Sequence, residues 1–425
     1  MEKETICVQG AYEPKSGDPR VVPLIQSTTY YYETMEEMAH LFDVPKEGHI
    51  YSRISNPTVS WFEQKITMLE GGTAAMAVSS GMAATLQAVL NVCKSGDNIV
   101  SYSTIYGGTY NLFKNTLPKY GIECRFVNED MTDDEIKAEI DGNTKLFFAE
   151  TIANPAMVVF DFDRISKICK EARLLLCIDN TLATPILVKP FLHGANIIIH
   201  STTKYIDGHA TAVGGLIIDG GNFEYKDNPR YIDFMTPDES YHGINYYDEG
   251  EKGLYSFALK ARMQGMRDFG TSMSPFNAYI TNLGAETLHL RMARHSSNGL
   301  AVATALENHP LVSWVKYPGL VGDQYHELAS KYFEGGFSGM VVFGIKGGRA
   351  NAEKFINGLK LFKNVTHIAD VRSCVLHPAS TTHRQLSSED LVKAGIDEGL
   401  IRLSVGIEDE KEVVSDIVNA LDNVK

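Results

Sequence analysis

Residues 196–215 read NIIIHSTTKYIDGHATAVGG. An unbroken apolar run passes directly into hydroxyls and a lysine, Ser201-Thr202-Thr203-Lys204. A run without polar alternation suits a parallel strand buried on both faces. Ligands of such sheets bind outside the carboxyl ends of the strands, which is where Lys204 falls. Working outward, the pattern recurs. AAMAV (74–78) is followed by Ser79-Ser80-Gly81-Met82, and NIV (98–100) by a segment reaching Tyr106 and Gly108. KLFFA (145–149) leads to Glu150, Thr151 and Asn154, and LLLCI (174–178) to Asp179-Asn180-Thr181. Helix-like GMAATLQAVLNVC and DFDRISKICKEA lie between these runs. The alternation predicts an α/β fold with a doubly wound, mostly parallel sheet whose strand ends converge on one crevice.

On either side of this region the pattern changes. Residues 1–60 are broken by Pro14, Pro19, Pro23, Pro45 and Pro57 and read as an N-terminal arm. Residues 61–273 form the expected sheet domain, interrupted by a Gly-, Pro-, Asp- and Tyr-rich stretch over 219–250 that reads as a long inserted loop. Beyond it, GMVVFGI (339–345), AEKFINGLKLF (352–362) and LIRLSVGI (400–407) suggest a smaller α+β domain over 274–425.

Composition narrows the function. The chain has 425 residues, 44% hydrophobic and 22% charged, and its 39 Lys and Arg against 53 Asp and Glu give a net charge of −14. So acidic a surface does not suit nucleic acid or anionic lipid. The apolar runs are far shorter than the roughly 18 residues that span a bilayer. The N-terminal MEKETICVQGAYEP lacks the apolar core of a signal peptide. The six cysteines form no C-x-x-C and no zinc spacing with histidine, so neither a metal nor a disulfide framework is expected, and the cytoplasm is the expected location.

The strand ends suit one ligand. Ser80, Gly81 and Met82 open a helix, where free N–H groups favour an anion, and Ser201 and Thr203 add hydroxyls. Lys204 supplies an amine for a Schiff base, Asp179 a carboxylate for a protonated pyridine nitrogen, and Tyr106 an aromatic face. Phosphate, aldehyde, pyridinium and ring together describe pyridoxal 5′-phosphate.

The stretches HSTTKYIDGHATAVGG, IDNT, AVSSGMAA, YSRISNPT, ANPAMVV, SPFNAYITNLGAETLHLRM, LHPASTTH and LIRLSVGIED resemble the Cys/Met-metabolism family of pyridoxal-phosphate enzymes, in order over residues 51 to 409. The resemblance implies an aspartate-aminotransferase-like (fold type I) architecture. It implies that Lys204 carries the cofactor and works with Tyr106 and Asp179 in catalysis. It places Ser80, Gly81, Met82, Ser201 and Thr203 at the phosphate and Asn154 beside the cofactor hydroxyl. Tyr51 and Arg53 would reach a neighbouring subunit's cofactor, and Arg402 would clamp the substrate carboxylate.

Within the family, the 219–250 insertion ending in PDESYHG, the STTH wording at 380–383, and Gly108 where methionine γ-lyases usually carry cysteine resemble the O-acetylhomoserine sulfhydrylase branch. This implies γ-replacement on an O-acyl-homoserine amino acid with sulfide or methanethiol, by a homo-oligomer, a tetramer built of dimers. THIADVRSC (366–374) departs from the usual asparagine-containing version, so the pocket edge near His367 is expected to differ. Methionine γ-lyase and cystathionine γ-synthase or lyase activity are the alternatives within the family. A non-catalytic pyridoxal-phosphate-binding regulator is the alternative outside it. Arg402 with Tyr106 favours an enzyme, since both would serve a substrate and not cofactor storage.

Overall fold

The computed structural model describes residues 1–43, 48–241, 243–381, 384 and 397–424. Its larger sheet comprises β1 (Ala74–Val78), β2 (Asn98–Tyr102), β3 (Glu123–Val127), β4 (Thr144–Glu150), β5 (Leu175–Asp179), β6 (Ile197–Ser201) and β7 (Gly215–Asp219). Their spatial order is β1-β7-β6-β5-β4-β2-β3. Strands β2 to β6 pair in parallel, and β4 is buried at every position. The apolar runs are thus parallel strands covered on both faces, with one exception. AAMAV, read as another parallel strand, pairs antiparallel with β7, which also runs antiparallel to β6. The chain returns from β6 to β7 by the short Lys204-bearing loop, and an antiparallel neighbour needs no crossover helix.

Three helices precede this sheet in the chain. In the arm, α1 (Lys3–Gln9) and α2 (Met35–Asp43) are more regular than the prolines suggest, and α1 buries Ile6 and Cys7. Helix α3 (Pro57–Glu70) starts where Asn56 accepts the Thr58 N–H, with Pro57 at its first position. It stops at Gly71, whose φ of 79° is the left-handed cap conformation. Helix α3 packs against β1, and α1 against α3.

A second sheet has five strands: β8 (Val312–Lys316), β9 (Met340–Ile345), β10 (Lys363–Asn364), β11 (Cys374–Leu376) and β12 (Leu400–Ser404), in the order β10-β11-β12-β9-β8. It has its own core, including Val341, Phe343, Phe355, Ile401, Leu403 and Ile417. The helix Leu288–Glu307 spans both cores, with Leu288 and Met292 in the larger and Val302 and Leu306 in the smaller. No helix among the described residues is long and apolar enough to cross a membrane.

The stretch read as a long inserted loop is a packed one. It departs after Asp219, carries short helical segments at Pro229–Phe234 and Tyr246–Glu249, and buries Tyr225, Tyr231, Phe234 and Tyr246. Its tyrosines, which lowered the apolar periodicity, are what it buries. The Tyr231 hydroxyl accepts the Leu175 N–H at 2.8 Å and donates to the Lys145 carbonyl at 2.8 Å. His242 of PDESYHG lies outside the described residues.

Tyr231→Phe keeps the ring and strands a buried N–H at the start of β5. It is expected to cost about 1–3 kcal/mol, seen as a lower thermal midpoint with activity per folded molecule unchanged. An unchanged midpoint would show that the hydroxyl bridge contributes nothing.

Candidate active site

A cavity of about 250 Å³ opens at the carboxyl ends of β1, β4, β5 and β6. Ser80, Gly81, Met82, Tyr106, Asn154, Asp179, Ser201, Thr203, Lys204 and Arg402 all line it, so ten of the twelve residues singled out in the sequence meet in one place. Helix α4 (Gly81–Leu90) begins at its wall, capped by Ser80, whose Oγ accepts the Ala83 N–H at 3.1 Å. The first N–H groups of a helix have no intrahelical acceptor, and those of Gly81 and Met82 stand at this wall. A Cβ on Gly81 would lie 2.6 Å from Ser201 Cβ, so only glycine lets α4 approach the end of β6 this closely.

Thr181 joins the two central strand ends. Its N–H and hydroxyl donate to Asp179 Oδ1 at 3.0 and 2.5 Å, and its oxygen accepts the Ser201 N–H at 2.8 Å. Burial raises the Asp179 carboxyl above its ordinary range, and the Thr181 bonds and His200 pull it back. Lys204 sits on the turn after β6, where burial first and the Arg402 charge second lower its amine from 10.5 to about 8. Arg402, on β12, is 8% exposed. Its nearest described partner is Asn154 Oδ1, 3.5 Å from Nη1, and its buried Nε has none.

Two groups were given no role in the sequence reading, although Glu150 stands at one of the strand ends it named. Glu150 lines the cavity and accepts the Tyr106 N–H at 2.6 Å. On the reverse face of the same strand ends, Glu70 Oε1 lies 2.6 Å from His200 Nε2 and accepts from Asn180 Nδ2 at 2.9 Å, with both Glu70 and His200 wholly buried. Asn180 stands in the quoted IDNT and His200 in NIIIH, but nothing in the sequence joins them to Glu70, 110 and 130 residues away.

Tyr51 and Arg53 are not gathered into this cavity. They line another, of about 1190 Å³, with Tyr30, Phe42 and Arg262, and the Arg53 guanidinium lies over the Tyr51 ring at 5.4 Å. Thr366 and Ile368 line the Lys204 cavity on either side of His367. Cys374 is buried, its thiol pushed up to about 11 by burial, which suits packing and not nucleophilic work. Thr382 and His383 of the STTH wording lie outside the described residues.

These residues fit pyridoxal 5′-phosphate on their own chemistry. Helix N–H groups and hydroxyls form an anion cradle that a side chain at position 81 would fill. A carboxylate and an amine of lowered affinity for protons stand at neighbouring strand ends, and a buried guanidinium has no anionic partner among the described residues. A mixed α/β sheet with this arrangement defines a pyridoxal-phosphate enzyme of the aspartate-aminotransferase-like fold. The sequence model described as Cys/Met metabolism PLP-dependent enzyme matches residues 4–422, and the chain belongs to that family. It is 45% identical to the O-acetyl-L-homoserine sulfhydrylase of Leptospira meyeri, over 100% of this chain and 97% of that protein. It is 43% identical to the homocysteine synthase of Schizosaccharomyces pombe, over 99% and 98%. A crystal structure of a putative O-acetylhomoserine (thiol)-lyase from Campylobacter jejuni, with N′-pyridoxyl-lysine-5′-monophosphate, superimposes with a TM-score of 0.94 at 39% identity, covering both chains fully.

In protein stripped of cofactor, the lowered amine has a readout. Acylation of Lys204, followed by peptide mapping, should rise with pH through about 8, well below the roughly 10.4 of a free lysine amine. A Lys204 profile matching a free lysine amine would disprove the burial effect.

Proposed function

We propose that this enzyme replaces the acetoxy group of O-acetylhomoserine with sulfide or methanethiol, giving homocysteine or methionine plus acetate. The observation that carries the reading is the pairing of Lys204 with an anion-seeking Arg402 across one small cavity floored by Asp179. That arrangement suits an α-amino acid. Full-length likeness to a sulfhydrylase and a homocysteine synthase supports the choice of donor and acceptor.

Pyridoxal phosphate, when bound, supplies the electron sink for γ-replacement. The chain's own residues do the rest. The α4 N–H groups with Ser80, Ser201 and Thr203 hold the phosphate. Asp179 would hold a proton on the ring nitrogen, Asn154 would stand beside the ring hydroxyl, and Tyr106 would cover the ring face. Arg402 grips the substrate carboxylate with a planar fork. Lys204 Nζ takes a proton from the substrate's α-carbon and later returns one, a task that its value of about 8 suits.

The reading extends to assembly. Tyr51 and Arg53, at the wall of the second cavity, serve the site of a neighbouring subunit, in a homotetramer built of dimers in the cytoplasm. The arm (1–60), sheet domain (61–273) and smaller domain (274–425) are the units of this assembly.

Turnover of O-acetylhomoserine plus sulfide to homocysteine tests the reaction. If methionine alone yields 2-oxobutanoate and methanethiol faster, a γ-lyase replaces it. Lys204→Ala should abolish turnover. Arg402→Lys keeps the charge and loses the fork, so kcat/KM should fall about 10-fold or more, equivalent to ~1.4 kcal/mol. Mixing inactive Arg53→Ala and Lys204→Ala subunits should restore activity. None under proven subunit exchange would place Arg53 outside its neighbour's site.

Gly108 has its own test. A Cβ there would lie 2.5 Å from Tyr106 Cε1. Gly108→Cys should therefore displace the exposed ring and slow γ-replacement without unfolding the protein, and wild-type kinetics would refute this.

A further inference from the structure

Glu150 and Asp179 are register partners on the adjacent parallel strands β4 and β5, and both line the cavity. Side chains at matched positions of neighbouring strands share a face, about 5 Å apart. Two carboxylates therefore stand side by side where water is scarce, Glu150 being 8% exposed. Like charges so placed repel strongly unless one is neutral. Glu150 also has structural work. Its Oε1 accepts the backbone N–H of Tyr106, tying the start of α5 (Gly107–Asn111) to the end of β4. Its carboxyl also interacts with the backbone N–H of Asn154 on the loop after β4. Both residues it tethers flank the proposed ring position.

We propose that Glu150 is a positioning residue for this site: as a neutral acid it pins Tyr106 over the cofactor ring and leaves Asp179 as the sole anion beneath the ring nitrogen. The inference rests on the pyridoxal-phosphate reading of the cavity. The charged and titratable groups around Glu150 are Asp179 on β5, Lys204 after β6, Arg402 on β12 and the Tyr106 hydroxyl, with His200 on the reverse face. Burial first and Asp179 second raise the Glu150 carboxyl well above its ordinary range, while the two backbone N–H groups oppose this. Asp179 has the Thr181 hydroxyl and N–H on Oδ1 and His200 behind it, so it is the better placed of the two to stay ionised.

The test uses Glu150→Gln and Glu150→Ala holoenzymes. Glutamine keeps an acceptor for the Tyr106 N–H and is neutral at every pH. Its visible absorption band should titrate at the wild-type midpoint, and its affinity for added pyridoxal phosphate should stay within about 3-fold of wild type. Removal of a buried negative charge would move the midpoint, so a shift of more than about half a pH unit overturns the proposal. Alanine loses the tether, and cofactor affinity should fall about 10-fold. It should fall little further when Tyr106→Ala is added, because the effect runs through Tyr106. Additive losses, or glutamine as damaging as alanine, overturn the assignment. If alanine does not fold, the glutamine midpoint decides alone. A wild-type protein with no visible band would instead refute the pyridoxal-phosphate reading itself.

Discussion

A single threonine hydroxyl sets the geometry from which the site is built. Thr181 donates to Asp179 and accepts from Ser201, so the ends of β5 and β6 are joined across their gap by one side chain. The turn carrying Lys204 leaves from that junction, and the close approach of α4 at Gly81 is measured against the same Ser201. Behind it, Glu70 grips His200 and Asn180 on the opposite faces of the same strands. Hydrogen bonds on both sides of two strand ends, with Glu70 Oε2 and His200 Nδ1 left without a described partner, restrict the residues between them.

The electrostatics follow from that rigidity. The cavity gathers two carboxyl groups, an amine and a guanidinium at low exposure, and buried charges cost free energy unless they are paired. Here the pairing is incomplete: Lys204 and Arg402 repel each other, and Glu150 beside Asp179 is driven toward its neutral form. On the proposed reading, a ligand bearing a phosphate, a ring cation and a carboxylate would partner the α4 N–H groups, Asp179 and Arg402 together. The lysine amine is lowered first by burial and second by the Arg402 charge, so only part of its tuning comes from the unpaired guanidinium.

Much of this was legible in the sequence because the strand-end rule turns one-dimensional order into proximity. Ser80, Asp179 and Lys204 follow apolar runs by two, one and four residues, and strands of one sheet that point the same way place their followers at one edge. Arg402 lies on a different sheet, and only family resemblance brought it to the site. Three features were not legible. The direction of β1 depends on β7, whose pairing is a tertiary choice. The role of Glu150 depends on register with Asp179, which periodicity does not report. The inserted stretch hid its core because its buried residues are tyrosines, whose hydroxyls find partners only in the folded chain. Tyr51 and Arg53, expected at a neighbour's cofactor, stand apart from the chain's own cavity.

The insertion also reveals how labour is divided along single strands. Arg230 and Tyr231 grip Thr144, Lys145 and Leu175, which are the first residues of β4 and β5. Glu150 and Asp179 are the last residues of the same two strands. One end of each strand is tied to the insertion and the other lines the cavity, separated by a fully buried apolar span. Substitutions at the anchored end can accumulate with consequences for durability alone. The pocket end is held to the residues the proposed reading needs there, so durability and chemistry answer to opposite ends of one pair of strands.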